Sequence, residues 1–164
     1  MSEARDTLHD FSIEYVKILA EVFGWRVRTA LGRSPGPDIV IEHILRTDNE
    51  EKVDAVMFIE SEVGHDQRGA PRYFKELCDR LEPLIKKYRA KYGEKVYFSI
   101  VLITNAPRRL TEYLREPENR KELEKELGLT LIEGWNIFIV PVLVIKEVLS
   151  AIFVRTMGAV ARYA

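Results

Sequence analysis

The chain has 164 residues, of which 46% are hydrophobic and 31% charged, and its 25 basic and 26 acidic residues give a formal net charge of −1. A chain of this length buries about two-thirds of its unfolded surface and needs no staples, and the composition excludes a disordered, collagen-like or disulfide-scaffold protein. The charge balance argues against a polybasic nucleic-acid coat or a membrane-surface module, but not against a nuclease, whose acidic metal site offsets a basic groove.

The amino-terminal MSEARDTLHD is charged and has no apolar core, so it does not read as a signal peptide, and a cytoplasmic location is expected. From Asp6 to Phe23 the residues Phe11, Tyr15, Ile18, Leu19 and Val22 recur at helical spacing, and Gly24 closes the helix. Trp25 to Ala30 alternates as a strand does, and LGRSPGP is a loop. Asp38 to Leu45 reads as a second strand, RTDNEEK as a polar turn and Val53 to Val63 as a third strand. A polar loop, 64–71, leads to a long helix from Tyr73 to Tyr92, in which Pro83 predicts a kink or a break into two pieces. Val96 to Thr104 is the continuous apolar run of a strand covered on both faces. Arg108 to Leu127 is a charged helix broken near Pro117.

Trp135 to Val140 reads as a buried strand, followed by a core helix that Pro141 opens at its first turn. This last stretch is very apolar, but Lys146, Glu147 and Arg155 interrupt it, and no charge-free run approaches the ~20 residues of a membrane-spanning helix. The order α-β-β-β-α-β-α-β-α predicts one α/β domain over residues 1–164, a mixed sheet of about five strands flanked by helices. Three strands in succession exclude a purely parallel sheet. The lone Cys78 permits neither an internal disulfide nor a cysteine-based zinc site, and His9, His43 and His65 show no ligand spacing. One Gln and four Asn beside many Glu, Lys and Arg are a bias of heat-adapted proteins.

Two segments carry candidate chemistry: GPDIVIE with Asp38, and FIESEVG with Glu60 and Glu62. Side chains alternate across a strand, so Glu60 and Glu62 share a face. If the two strands pair antiparallel through RTDNEEK, as the short connection favours, the turn centre falls near residue 49 or 50 and Asp38 lies close to Glu60. Three carboxylates meeting at one sheet face do not all stay ionised without a cation, because like charges raise one another's pKa. Mg²⁺ or Mn²⁺ suits a few carboxylates with water and a substrate phosphate, and such an ion activates water for attack on a phosphodiester. A Pro-Asp dipeptide alone is a turn signal. Glu60 after VMFI is harder to discount, since a carboxylate behind a buried strand is costly unless paired or metal-bound; its alternative is a solvated strand end with Arg26 or Arg28 as partner.

A helix, a strand, P-D, a strand bearing E-x-E and a long helix resemble the PD-(D/E)xK nuclease superfamily, with its restriction-endonuclease-like core. Within it, GWRVRTALGRSPGPDIVIE is similar to archaeal Holliday-junction resolvases, and the likeness covers roughly residues 10 to 105. The resemblance implies a metal-dependent DNA endonuclease with Asp38 and Glu60 as metal ligands, branched DNA as substrate and a homodimer that makes two symmetric cuts. Glu62 stands where the family has Lys, and a carboxylate cannot supply that positive charge; it serves as metal ligand or base, or is simply exposed. Lys75 on the following helix is a candidate migrated cation. Glu14 is the candidate for the family's helix Glu, with Glu21 as alternative. Glu42 shares a face with Asp38 and either joins the site or pairs with Arg28. His65, Asp66 and Gln67 follow the Glu strand as phosphate contacts or as a loop cap. Arg26, Arg28, Arg33, Arg68 and Arg72 flank the site in sequence and are candidates to hold the DNA backbone. The missing Lys leaves a second expectation, an inactive nuclease fold that binds DNA or a protein partner.

Overall fold

Alternating apolar residues on either side of residue 49 fold back on one another as the longest hairpin of the protein. The computed structural model describes residues 2–29, 37–62 and 69–163. In chain order they form α1 (Ser2–Val22), β1 (Arg26–Thr29), β2 (Ile39–Thr47), β3 (Glu50–Glu62), α2 (Ala70–Tyr92), β4 (Tyr97–Thr104), α3 (Pro107–Arg115), α4 (Pro117–Leu127), β5 (Ile137–Pro141), a short 3-10 turn (Val142–Val144) and α5 (Ile145–Tyr163). The fold is α/β. The five strands make one mixed sheet in the order β1-β2-β3-β4-β5, antiparallel from β1 to β3 and parallel from β3 to β5.

The sheet is covered on both faces, which is why its central strands read as unbroken apolar runs. One core holds Val40, Val56, Phe58 and Phe98 of the sheet against Phe74, Leu77, Leu81 and Ile85 of α2 and against Leu110 and Leu123 of α3 and α4. The other holds Ile39, Ile41, Met57 and Ile59 against Val16 and Ala20 of α1 and Leu149 and Phe153 of α5. Neighbouring residues of β2 and β3 therefore belong to different cores, and the even-numbered positions from 56 to 60 face α2. Among the described residues no helix is long and apolar enough to cross a membrane.

Two expectations about proline need correction. α2 runs through Pro83 as one helix of 23 residues. Pro83 and Asp79 are both exposed, so the Asp79 carbonyl that loses its helical partner is left to water. Pro141 does not open the last helix but ends β5, in an extended conformation, and α5 starts after the 3-10 turn. β5 is an edge strand, where a missing N–H breaks no ladder bond. Gly24, at φ +78°, does turn the chain out of α1, donating its N–H to the Glu21 carbonyl at 3.0 Å.

Candidate functional site

Register decides which acidic residues meet. β2 and β3 pair with Ile39 opposite Ile59, so one step further along the same ladder sets Asp38 opposite Glu60. Asp38 is fixed there by the Ser61 N–H, which donates to Asp38 Oδ2 at 2.7 Å. The hairpin arithmetic of the sequence thus has a direct counterpart in the structure, at the end of the sheet away from the β2–β3 turn.

Glu60 lies under α2 and is only 8% exposed. Arg80 of α2 reaches it, Nη2 to Oε1, at 2.7 Å. The other carboxylate oxygen, Oε2, is buried without a hydrogen-bond partner among the described residues. Burial first, and then the neighbouring Asp38 charge, push the Glu60 carboxyl up to about 7, and Arg80 offsets this only in part. The pair is therefore short of positive charge. From α1, His9 Nε2 comes within 3.4 Å of Asp38 Oδ1.

Tyr73 and Arg80 are seven residues apart on α2, two helical turns, and so share the face that looks onto the acidic end of the sheet. The Tyr73 hydroxyl is buried with no hydrogen-bond partner among the described residues. Burial and the charges of Glu60, Glu62 and Asp38 all disfavour its ionisation. Glu62 thus acts electrostatically on the same hydroxyl, from a position two residues, ~6.6 Å, further along β3.

The carboxylates of Asp38, Glu60 and Glu62 all act on the Tyr73 hydroxyl, with Asp38 and Glu60 as the directly opposed pair. Among the described residues no group of three or more His, Cys, Asp and Glu side chains is arranged to hold a metal ion. Two carboxylates with an unpartnered buried oxygen still fit a hard cation that keeps most of its waters.

Other expected residues lie elsewhere. Glu14 is exposed on α1 and pairs with Lys17 at 3.4 Å, and Glu21 is exposed as well; His9 is the α1 residue that reaches the site. Lys75 is exposed on the side of α2 roughly opposite Tyr73 and Arg80, and Arg80 is the cation the helix brings to Glu60. Glu42 is buried and does not join Asp38. It accepts from Arg26 Nε and Arg28 Nε, both at 2.8 Å, and from the Tyr88 hydroxyl at 2.7 Å. Burial would raise its carboxyl, but the hydrogen bonds from Tyr88, Arg28 and Arg26 outweigh burial and hold it below the usual range. Arg26 and Arg28 are therefore tied to Glu42, and Arg26 also to Glu51 at 2.5 Å, instead of standing at the Asp38–Glu60 end. Arg72 pairs with Glu76 at 3.1 Å. Arg33, His65, Asp66, Gln67 and Arg68 lie outside the described residues.

Sequence reasoning missed His9, Tyr73 and Arg80. The signal for the last two was in the helix: apolar α2 residues mark the buried face, and Tyr73 and Arg80 fall on it. Nothing in the sequence tied His9 to Asp38. No protein-family model matches the chain, and comparison with curated proteins finds no match.

Proposed function

We propose that the protein is a divalent-metal-dependent DNA endonuclease that hydrolyses phosphodiester bonds at Asp38 and Glu60. The observation that carries this reading is the buried Glu60 carboxylate beside Asp38, with one oxygen unpartnered among the described residues and its pKa raised to about 7. A site in which protein cations leave two adjacent carboxylates under-compensated favours a divalent cation. The α-β-β-β-α-β order, with P-D before β2 and E-x-E closing β3, supports the likeness to PD-(D/E)xK nucleases.

A bound Mg²⁺ or Mn²⁺ supplies positive charge that acidifies a water and neutralises charge on the phosphate under attack. The chain's own groups do the rest. The Ser61 N–H orients Asp38, and Arg80 orients Glu60 by one oxygen, the other being buried without a partner among the described residues. Glu62 and the Tyr73 hydroxyl line the same end of the sheet, and Glu62 is the carboxylate placed there to accept a proton from attacking water. Branched DNA as substrate and a homodimer follow from the resolvase likeness and belong to the same proposal.

The test is cleavage of supercoiled plasmid and of a synthetic four-way junction with Mg²⁺ or Mn²⁺. Nicking or junction resolution that is lost in Glu60→Ala and Asp38→Asn is the expected result; no cleavage of any nucleic acid, or cleavage unchanged in Glu60→Ala, overturns it. A second reading is favoured by two observations: Arg80 already pairs with Glu60, and Glu62 stands where the resembled family has Lys. On that reading the chain is an inactive nuclease-fold module for DNA or protein binding, and calorimetric titration with Mn²⁺ gives no heat at Asp38 and Glu60.

A further inference from the structure

A cleft of about 850 Å³ opens at the opposite end of the sheet, where β2 turns into β3 and where β4 and β5 begin. Its volume falls within the about 300–1,000 Å³ of small-molecule sites. It shares no residue with the Asp38–Glu60 pair, and its lining combines two lysines that form no ion pair among the described residues with exposed aromatic surface.

The cations are Lys52 of β3 and Lys95 just ahead of β4. β3 and β4 begin to pair at Ala55 opposite Tyr97, and both lysines precede that point in their segments and line the cleft. Among the described residues neither lysine has an ion-pair partner within reach, because the nearby acids are engaged. Asp54 is held by His43 at 2.6 Å, Glu94 by Arg89 at 3.6 Å, and Glu51 by Arg26 at 2.5 Å. Two lysine ammonium groups and the single Asp54 carboxylate in one cleft leave a net positive charge that suits a phosphate.

The aromatic surface is Trp135 and Tyr92. Trp135 is 43% exposed for so large an apolar side chain, and Leu45 and Ile132, also half-exposed, line the same cleft. Trp135 is nevertheless held in place. The Tyr97 hydroxyl donates to its carbonyl at 2.8 Å. The Arg155 guanidinium lies 5.2 Å from the ring and donates to the Gly134 carbonyl at 2.7 Å, from outside the cleft wall. A half-exposed indole and two lysines in one cleft offer a stacking surface and cationic groups for a phosphate. The Asp54 carboxylate, in the same wall, is an acceptor for a base N–H such as the adenine amino group.

We infer that this cleft binds a nucleobase carrying a phosphate, with the base against Trp135 and Tyr92 and the phosphate at Lys52 and Lys95. A free nucleotide and the 5′-phosphorylated end of a single strand present the same chemistry, and the experiment separates them.

The experiment titrates the full chain, in EDTA so that the Asp38–Glu60 site plays no part, with AMP, adenosine, inorganic phosphate and a short 5′-phosphorylated oligothymidylate. Trp135 emission and calorimetry are followed together. The expected result is saturable quenching with matching heat for AMP or the oligonucleotide, at least tenfold weaker for adenosine and for phosphate alone. The Lys52→Gln/Lys95→Gln double variant, altered only at exposed positions and checked for folding by circular dichroism, binds at least tenfold more weakly. Tighter binding of AMP identifies a free nucleotide, and tighter binding of the oligonucleotide a strand end. No saturable binding of either, equal binding of adenosine or phosphate alone, or affinity unchanged in the double variant overturns the inference.

Discussion

Glu60 carries an electrostatic cost that pH can switch off. Its carboxyl is raised to about 7 from an ordinary 4.5, by burial and by Asp38, so the folded chain holds this proton more tightly than the unfolded chain does. The associated stability is complete below pH 4.5 and is lost as pH rises through 7. A displacement of that size corresponds to about 3 kcal/mol. Glu60→Gln cannot ionise, and in urea unfolding it gains on the wild type by up to that amount between pH 4.5 and pH 8; a gap between the two proteins that does not move with pH contradicts the account. Cys78 gives a second residue-level prediction. Burial, and then the Glu126 charge, push its thiol up to about 12, and it is the only cysteine. A thiolate-specific reagent at pH 8 leaves the native chain unmodified and labels it once on unfolding in urea. Rapid native labelling shows that the α2 face is open.

At the scale of elements, α2 reaches the sheet with polar groups near both ends: Tyr73 and Arg80 towards Glu60, and Tyr88 towards Glu42. The Glu42 cluster is structural, because its carboxylate is satisfied by two arginines and a hydroxyl. Glu42→Ala leaves Arg26, Arg28 and Tyr88 without their acceptor and costs about 2–4 kcal/mol in chemical unfolding, whereas Tyr88→Phe costs about 1 kcal/mol. Equal effects of the two would mean that the arginines find water without loss. The same contrast explains what was legible in the sequence. Strand alternation and the short connection bring Asp38 close to Glu60, because a one-residue slip there would exchange the two cores, but the irregularity at His43/Ile44, which leaves Asp54 out of the ladder, was not legible. Helix existence was legible for the same periodic reason. The partners of Glu42 and Glu60 were not, since Tyr88 and Arg80 come from a helix whose placement over the sheet depends on packing. Pro83 and Pro141 misled because the cost of a proline depends on whether its face or edge meets water, which local sequence does not state.

For the whole molecule, the Asp38–Glu60 pair ties α1, β2, β3 and α2 together through His9, Ser61 and Arg80. A ligand at this pair therefore stabilises the folded chain as a unit, because the unfolded chain has no such juxtaposition of residues so far apart in sequence. A cation that binds only the folded chain adds about 2.7 kcal/mol at a hundredfold excess over its dissociation constant. A chain of this size gains about 2–4 °C in Tm per kcal/mol. Mn²⁺ is accordingly expected to raise Tm by about 5–10 °C at pH 8, where Glu60 is ionised and its uncompensated charge is relieved by the ion. At pH 5 the carboxyl is protonated for the most part, given its value of about 7, and binding must first expel that proton. The Mn²⁺ effect therefore shrinks towards zero on the acid side, and EDTA reverses it at pH 8. Glu60→Gln, which keeps the shape and removes the charge, loses the effect at both pH values. A shift in Tm equal at pH 5 and pH 8, or retained in Glu60→Gln, places the cation elsewhere and removes the physical basis for phosphodiester chemistry at this end of the sheet.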